Sequence, residues 1–280
     1  FRTWELHGNY PDILSDKIVG EAAQSLHDDA QKMLSQIVAE EWFQPAGAIG
    51  FFPGHSNGED IILNHPDTGE NLSMIPCLRQ QMQRGNDRPN LSLADFVAPE
   101  GYGDHVGCFA VTAGPQVETR ARRFREAGDD YRAIMVQALG DRLAEAFAEA
   151  MHEDVRREYW GYARDEELDN QALIAEEYQG IRPAPGYPAC PDHDGKTLIF
   201  RLLKARERLG MDLTESLAMT PASSVAGFYF AHEQARYFGV GRIGEDQINS
   251  YAGRTGEPVS FIESRLRSSL AYSTDQKQSA

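Results

Sequence analysis

The apolar residues near the start of the chain repeat with a helical period. Between residues 16 and 40 they recur at i, i+3, i+4 and i+7, a spacing that places them on one face of an α-helix. Ser15 or Asp16 can cap the first turn. The pattern predicts an amphipathic helix over 16–40, and its apolar positions are Val19, Ala22, Ala23, Leu26, Ala30, Met33, Leu34 and Ile37.

Short runs of β-forming residues follow this helix. Three of them, at 48–52, 60–63 and 71–75, are separated by turn residues such as Asn57-Gly58. Spacings of this length are typical of an antiparallel meander. A further apolar run at 105–112 predicts another strand.

A long helical segment occupies the middle of the chain. From about 116 to 160 the apolar positions again follow the helical period, which predicts one or two long helices. The apolar face is formed by Ile134, Met135, Leu139, Leu143, Phe147, Met151 and Val155.

The elements after this segment are shorter. A helix over 197–209, closed by Gly210, precedes strand-like runs and two C-terminal helices. Because strands and helices are segregated along the chain instead of alternating, the pattern favours an α+β fold with an antiparallel sheet. Residues 272–280 are expected to form a disordered tail. The strand-like runs are 214–219, 224–230 and 236–240, and the C-terminal helices are 245–251 and 258–270.

The composition argues against several classes of function. A formal net charge of −16 over 280 residues disfavours binding to nucleic acid, which draws on clustered Lys and Arg. Cys77, Cys108 and Cys190 are widely spaced and form no CxxC motif, which argues against a disulfide framework or a zinc site. The sequence has no run of eighteen apolar residues and no signal-peptide pattern, so we expect a cytoplasmic protein without membrane contact.

The segment 180–193 is rich in residues that restrict the backbone. Its prolines fix φ and remove backbone donors, while Gly186 permits a turn that other residues adopt only at a cost. The segment is therefore a candidate for a preformed ligand-binding loop. A proline-rich connection whose arginine makes a structural salt bridge is the alternative. The prolines are Pro183, Pro185, Pro188 and Pro191.

This loop also carries groups that can bind a ligand. The guanidinium of Arg182 can form two parallel hydrogen bonds to a carboxylate or a phosphate. The backbone amides of Ala184 and Tyr187 can point at a ligand, and the Tyr187 ring can cover a flat or cationic group.

Acidic residues recur every four positions on the long predicted helix. Asp141, Glu145 and Glu149 lie opposite its apolar face, and like charges at this spacing are mildly destabilising. A solvated face is the simpler interpretation. The functional alternative is that some of them face a cationic ligand or a histidine of a partner, and Glu176 and Glu177 carry the same ambiguity.

Aromatic residues complete the set of candidate ligand contacts. Tyr187, Tyr229 and Tyr237 could stack on an aromatic or sulfonium-bearing ligand, although tyrosines more often belong to a core or its edge. No sequence motif for a catalytic nucleophile is present, and His193 and His232 lack metal-type spacing. Together these groups suit a zwitterionic nucleoside-like ligand such as S-adenosylmethionine. An arginine can bind its carboxylate, acidic groups its cation and aromatic rings its base.

Residues 239–244 spell GxGxxG, but we do not interpret them as a dinucleotide site. A Rossmann unit needs a second parallel strand after its helix, with an acidic residue for the ribose. The residues that follow here are predicted to be helical. A turn between a strand and a helix is the simpler interpretation.

Four stretches of the sequence resemble one known family. They are RPAPGYPACPDH at 182–193, DRLAEAFAEAMHEDVRREYWGYA at 141–163, LHGNYPDIL at 6–14 and LADFVAP at 93–99. All four resemble the C-terminal activation domain of cobalamin-dependent methionine synthase, and the resemblance covers nearly the whole chain. It implies one domain over 1–271 with a C-shaped α+β fold, a twisted antiparallel sheet and long central helices, unlike Rossmann methyltransferases.

The resemblance also implies a function. Modules of this family bind S-adenosylmethionine and support the reductive methylation of inactive cob(II)alamin. The implied partners are the cobalamin-binding domain of methionine synthase and a flavodoxin or flavodoxin-like reductase. Docking of an acidic flavodoxin would need a local basic patch, and the densest one consists of Arg120, Arg122, Arg123 and Arg125.

The same resemblance implies roles for individual residues in ligand binding and domain contact. It implies no catalytic residue and no metal-ligating residue. Arg182 would hold the methionyl carboxylate, and the Ala184 backbone would contact the ligand. Tyr187 would lie between the ligand and the corrin, and Tyr237 would border the adenosyl pocket. The implied acidic residues are Glu145 and Glu176 on the polar side of the ligand, and Asp141 against the cobalamin-ligating histidine once it has left cobalt.

The chain begins inside a family motif similar to D-W-T-P-F-F, whose acidic residue contacts the amino group of the ligand. We therefore expect a segment of a longer methyltransferase. The alternative is a separately encoded accessory protein that uses the same fold to bind a ligand or partner without turnover. A cobalamin-binding D-x-H-x-x-G segment upstream of Phe1 would decide between the two.

Overall fold

The structure is a computed structural model that describes residues 1–82 and 89–274. Residues 275–280 of the expected tail lie outside the described residues. The strands are β1 Ala46–Asn57, β2 Asp60–Asn64, β3 Asn71–Pro76, β4 Asp104–Thr112, β5 Asp212–Leu213, β6 Met219–Thr220 and β7 Ser224–Tyr229.

Five of these strands form one antiparallel sheet in the order β3-β2-β1-β4-β7, and β5 and β6 form a separate short hairpin. The predicted α+β class with an antiparallel sheet is confirmed. The helices are α1 Gly20–Ala39, α2 Gln116–Glu126, α3 Asp130–Asp154, α4 Asn170–Ile174, α5 Gly195–Leu203, α6 Ala205–Leu209, α7 Glu245–Thr255 and α8 Val259–Arg265. No helix among the described residues is long and apolar enough to cross a bilayer.

Strand β4, which lies between β1 and β7, is buried on both faces of the sheet. Because successive side chains of a strand point to opposite faces, Phe109 and Val111 pack toward α3, whereas Cys108 and Ala110 pack toward α5 and α6. Helices α1 and α2 extend the core on the α3 side. This packing places the polar side of α3 beside the end of β7.

One predicted strand is replaced by a turn. The prediction over 214–219 is wrong except at Met219, because the pairing strands are β5 before this run and β6, which begins at its last residue. Thr214 closes the turn: its N–H donates to the Ala218 carbonyl at 2.9 Å, and its hydroxyl accepts from the Ala218 N–H at 3.0 Å. Leu217 has a φ of 59°, which a continuous strand does not allow. A threonine that bonds the local backbone competes with strand pairing.

The strand predicted over 236–240 is also wrong. This segment is irregular, because its backbone groups bond to other loops instead of to the sheet. The Val240 N–H donates to the Pro188 carbonyl at 2.8 Å, and the Gly239 carbonyl accepts from the Gln80 amide at 2.7 Å. The segment therefore supports the proline-rich loop.

Two helix boundaries differ from the prediction. The single helix predicted over 197–209 is divided into α5 and α6 by Lys204, whose φ is 51°. At the first helix, Asp16 caps the turn that precedes α1, where its carboxylate accepts from the N–H groups of Ile18 at 2.7 Å and Val19 at 2.9 Å. The long segment predicted over 116–160 forms two helices, α2 and α3, and continues beyond α3 as a π-helical turn, Val155–Tyr159.

Candidate functional site

The structure brings all of the predicted site residues into the lining of one cleft. The cleft has a volume of about 880 Å³ and lies between α3, the loop 180–193 and the first residues of β7. The packing of α3 against β7 brings together residues that are up to about a hundred positions apart in the sequence. The predicted residues in the lining are Asp141, Glu145, Glu176, Arg182, Ala184, Tyr187 and Tyr237.

Backbone hydrogen bonds to the end of β7 hold the first part of the loop. Ile181 and Phe230 exchange two backbone hydrogen bonds of 3.0 Å each, and the Pro183 carbonyl accepts from the Phe228 N–H at 3.0 Å. Pairing with the sheet makes the backbone around Arg182 rigid. The interpretation of this loop as preformed is thereby supported.

A tight turn shapes the middle of the loop. The Gly186 N–H donates to the Cys190 carbonyl at 2.7 Å, and the Tyr187 N–H donates to the Ala184 carbonyl at 3.1 Å. The prediction that the Tyr187 amide points at a ligand is therefore wrong, whereas the Ala184 N–H meets no acceptor in the described part of the chain. Gly186 has a φ of 95°, and the ring of His193 occupies the position that a Cβ would need.

The end of the loop is anchored by Asp192, which is almost completely buried. Its carboxylate accepts from the Tyr251 hydroxyl at 2.9 Å, from the Asp194 N–H at 3.0 Å and from the Arg265 guanidinium. Burial, followed by the charge of Asp192, raises the pKa of Tyr251 well above its ordinary value. Helices α7 and α8 thus hold the loop in place, a contact that only the folded chain reveals.

Three residues that do not line the cleft form hydrogen bonds with the guanidinium of Arg182. Its Nη1 lies 3.0 Å from Glu149 Oε1, 3.1 Å from the Tyr178 hydroxyl and 3.3 Å from His152 Nδ1. Its Nη2 donates to the second oxygen of Glu149. The interpretation of Glu149 as part of a solvated face is therefore wrong, because this carboxylate is the counter-charge of Arg182.

His152 is fully buried between aromatic rings. Its ring stacks on Tyr229, with centroids 5.2 Å apart, and meets the edge of Tyr178 at 5.0 Å. Burial and the positive charges of Arg156 and Arg182 hold its pKa well below the ordinary value. The imidazole is thus neutral, and since Nδ1 accepts from Arg182, its proton resides on Nε2, 3.4 Å from the Tyr162 hydroxyl.

A second buried arginine lies behind Tyr178. Arg156 comes from the π-helical turn after α3, is fully buried and pairs with Glu166 through contacts of 2.6 to 3.0 Å. Its guanidinium lies 4.5 Å from the centroid of the Tyr178 ring, a cation–π distance. π-Helical turns often occur at functional sites, but no pattern in the sequence announces this one.

The acidic side of the cleft is more open. Asp141 is exposed, and one of its carboxylate oxygens accepts from the Ser223 hydroxyl at 2.7 Å. Glu145 is exposed and pairs with Arg142 at 2.7 Å. Glu176 follows α4 with a left-handed φ of 58°, a conformation unusual for glutamate and often found at functional sites.

The three candidate tyrosines occupy different environments. Tyr187 is 64% exposed at the rim of the cleft. Tyr237 is half-buried, and its hydroxyl accepts from the Arg182 N–H at 3.1 Å. Tyr229 is completely buried and stacks on Phe109 at 4.7 Å, so the suggestion that it stacks on a ligand is wrong.

The GxGxxG segment is a structural turn. Gly244 precedes α7 and donates its N–H to the Gln81 side chain at 2.7 Å. Helix α7 is followed by α8 and by no further strand among the described residues. The absence of a βαβ unit in this part of the chain agrees with our interpretation of the motif.

Comparison with known proteins identifies the family. A family model described as "Vitamin B12 dependent methionine synthase, activation domain" matches residues 1–256. A solved structure described as "Crystal Structure of the MetH Reactivation Domain bound to AdoHcy" is 47% identical in sequence, with a TM-score of 0.92 over 98% of this chain and 85% of that chain. The chain belongs to the activation-domain family of vitamin B12-dependent methionine synthase.

Proposed function

We propose that this chain binds S-adenosylmethionine in the cleft around Arg182 and acts as the reactivation module of a cobalamin-dependent methionine synthase. The observation that carries the proposal is the convergence of Arg182, Ala184, Tyr187 and the acidic residues on one cleft. The similar MetH reactivation domain was solved with AdoHcy, which is S-adenosylmethionine after loss of its methyl group.

The chemistry of the cleft matches the parts of this ligand. Arg182 has the geometry to bind its carboxylate through two parallel hydrogen bonds. Glu145 and Glu176 supply negative charge for its ammonium and sulfonium groups. The Ala184 N–H can donate to the ligand, while Tyr237 borders the adenosyl group. Binding of both ends would orient the S-methyl group toward the open side of the cleft, where Tyr187 lies.

Cobalamin supplies the methyl acceptor and would be held mainly by another domain. In the proposed reaction, cobalamin reduced by one electron from a flavodoxin-type partner would take the methyl group of S-adenosylmethionine, and S-adenosylhomocysteine would be released. The residues of this chain would bind and orient the methyl donor. Tyr187, which is exposed at the rim of the cleft, would lie between that donor and the corrin.

The proposed partners require two different surfaces. The cobalamin-binding domain would cover the open side of the cleft, where Asp141 would receive the histidine that has left cobalt. The flavodoxin-type partner would dock on the basic residues of α2. Arg120 stacks there on Trp42 at 4.4 Å, so the cationic group is partly ordered before docking. The basic residues are Arg120, Arg122, Arg123 and Arg125.

Calorimetry with the purified chain tests the proposal. S-Adenosylmethionine and S-adenosylhomocysteine should bind with one site per chain, whereas adenosine or methionine alone should bind far more weakly. No detectable binding of either nucleoside ligand would contradict the proposal. The chain alone should not methylate homocysteine. Added to a cobalamin-binding domain and a reductant, it should convert cob(II)alamin to methylcobalamin in a reaction that depends on S-adenosylmethionine.

A further inference from the structure

Lys196 lies in the first turn of α5 and lines the cleft, although the residue is only 8% exposed. Burial lowers the pKa of its ammonium group. Asp192, in the adjoining loop, is used by Tyr251 and Arg265, and no carboxylate among the described residues forms an ion pair with Lys196. Lysines are almost never buried without a partner of opposite charge. The cleft therefore contains a shielded positive charge that the described part of the chain does not neutralise.

The hydrogen bonds of Lys196 leave one of its three N–H donors available. One donates to the Leu217 carbonyl at 3.0 Å and another to His193 Nδ1 at 3.0 Å. The third meets no acceptor among residues 1–82 and 89–274. Both acceptors are uncharged, because one is a backbone carbonyl and the other is an imidazole whose pKa is lowered by burial and by Lys196. These contacts orient the ammonium group without neutralising it.

His193 supplies a second donor in the same part of the cleft. Lys196 has no acceptor atom, so Nδ1 of His193 accepts in their contact and the imidazole proton resides on Nε2. That N–H meets no acceptor within the described ranges, and His193 is an exposed residue of the cleft lining. The ring lies against Gly186, in the space that a Cβ would need, so its orientation is restricted.

The environment of Lys196 differs from that of Arg182. Glu149 neutralises the guanidinium of Arg182, whereas the two hydrogen-bond partners of Lys196 carry no charge. The apolar side chains of Pro185 and Met219 also line the cleft, and Pro185 packs against Gly195 at the start of α5. In such a partly apolar setting an interaction between a cation and an anion is stronger than in water.

We propose that Lys196 and His193 form a subsite for a carboxylate other than that of the methyl donor. The two oxygens of a carboxylate can accept from the ammonium group and from the imidazole N–H. The subsite goes beyond the proposed function, in which Arg182 holds the carboxylate of S-adenosylmethionine. Its carboxylate can come from a free small anion or from an acidic side chain of the domain that covers the cleft, and the second source rests on the proposed function.

A titration with sodium formate tests the free anion as the source. The Cε1–H resonance of His193 is followed by NMR at pH 8, with sodium chloride holding the ionic strength constant. Formate should shift this resonance saturably in the wild-type chain. Lys196→Met should weaken the binding by about tenfold or more, because it removes a hydrogen bond from a charged donor. Lys32→Met is the control, since Lys32 is an exposed lysine on α1, and it should bind formate as the wild type does.

A methionine synthase that carries this chain as its activation domain tests the second source. The visible spectrum of cob(II)alamin reports whether a histidine is bound to cobalt, and thereby which arrangement the domains adopt. If a carboxylate of the covering domain binds Lys196, then Lys196→Met should shift the transition toward the turnover arrangement by about tenfold or more in population. Lys32→Met should leave the transition unchanged.

The two measurements together decide whether the subsite exists. A response to Lys196→Met in either one supports it and identifies the source of the carboxylate. No saturable shift with formate in the wild type, together with an unchanged spectral transition in Lys196→Met, overturns it. A loss of S-adenosylhomocysteine affinity as large as the loss of formate affinity would assign the ammonium group to the nucleoside ligand, which also overturns it.

Failure of the proposed function has a separate signature. A wild-type chain that binds formate but not S-adenosylhomocysteine contradicts the proposed function and leaves the subsite in place. Chemical denaturation without ligand establishes that each variant is folded. Lys196→Gln, which keeps an N–H donor but no charge, replaces Lys196→Met if that variant does not fold, and the same loss of binding is expected.

Discussion

Arg182 and Glu149 form a bidentate ion pair at the back of the cleft, with Nη1 and Oε1 3.0 Å apart. The pair joins the proline-rich loop to α3 through two residues that are 33 positions apart in the chain. Both side chains are largely shielded, with 21% and 32% of their surfaces exposed. The arginine is therefore neutralised and oriented before any ligand arrives.

Glu149→Gln should destabilise the chain without ligand. The substitution removes the counter-charge of a shielded guanidinium but retains a hydrogen-bonding side chain. We expect a loss of about 1–2 kcal/mol in the free energy of unfolding, less than for a fully buried pair. Urea denaturation measures this change.

Glu145→Gln provides the matched control for the same helix. Glu145 pairs with Arg142, and both side chains are at least half exposed. Exposed pairs of this kind contribute little, so the change should stay below about 0.5 kcal/mol. Equal effects of the two substitutions would show that the Arg182–Glu149 pair has no special role in stability.

Arg182→Ala should weaken binding of S-adenosylmethionine by about 2–4 kcal/mol. The loss combines a charge-assisted bidentate contact with a ligand carboxylate that stays partly desolvated. Arg182→Lys should recover only part of the affinity, because an ammonium cannot reproduce two parallel N–H donors. Calorimetry provides the measurement, with Arg157→Ala as the control for loss of an exposed arginine. Wild-type affinity in Arg182→Ala would place the ligand elsewhere.

The parts of the site that could be predicted are those in which local chemistry restricts the backbone. Prolines and Gly186 mark the loop around Arg182 as rigid, and hydrophobic periodicity identifies α1 and α3. Periodicity also shows that Glu149 lies on the polar side of α3. It does not show that a loop packs against that side, so a residue expected in solvent becomes the counter-charge of Arg182.

The contacts that could not be predicted join distant segments or replace sheet pairing. Asp192 meets Tyr251 and Arg265 across 59 and 73 residues, and no local pattern indicates such a meeting. The segment 236–240 has the composition of a strand, but its backbone bonds to the loop and to Gln80. Tertiary contacts override strand propensity there.

The neutral state of His152 should make stability depend on pH. In the unfolded chain this histidine takes up a proton as the pH falls through about 6.5. In the folded chain its pKa is held well below 6.5 by burial, Arg156 and Arg182. The unfolded state then binds more protons, so stability decreases as the pH falls below about 6.5, by up to about 1.4 kcal/mol per pH unit.

His152→Asn should reduce this pH dependence, because it removes the titrating group while retaining an acceptor toward Arg182. Its stability at pH 8 should be lower than that of the wild type, since the buried ring is lost. Part of the slope should remain, because burial and Lys196 also lower the pKa of His193. Urea denaturation between pH 5 and pH 8 provides the comparison. Identical slopes for the two proteins would contradict the argument.

The last prediction separates docking between domains from ligand binding. Only one oxygen of Asp141 is engaged within the described residues, by the Ser223 hydroxyl at 2.7 Å. The other oxygen can accept a charge-assisted hydrogen bond from a displaced histidine. If it does, Asp141→Asn should shift the equilibrium toward the turnover arrangement by roughly 1–3 kcal/mol, or about one to two decades in population.

The measurement uses a methionine synthase that carries this chain as its activation domain. The visible spectrum of cob(II)alamin reports whether the histidine is bound to cobalt, and the transition is titrated in wild type and in Asp141→Asn. Ser223→Ala is the control, because it removes only the hydroxyl that braces Asp141 and should have a smaller effect. Affinity of the isolated chain for S-adenosylmethionine should barely change in Asp141→Asn, since the contact acts between domains. An unchanged spectral transition would mean that Asp141 only belongs to the solvated face of the helix, as periodicity alone predicts.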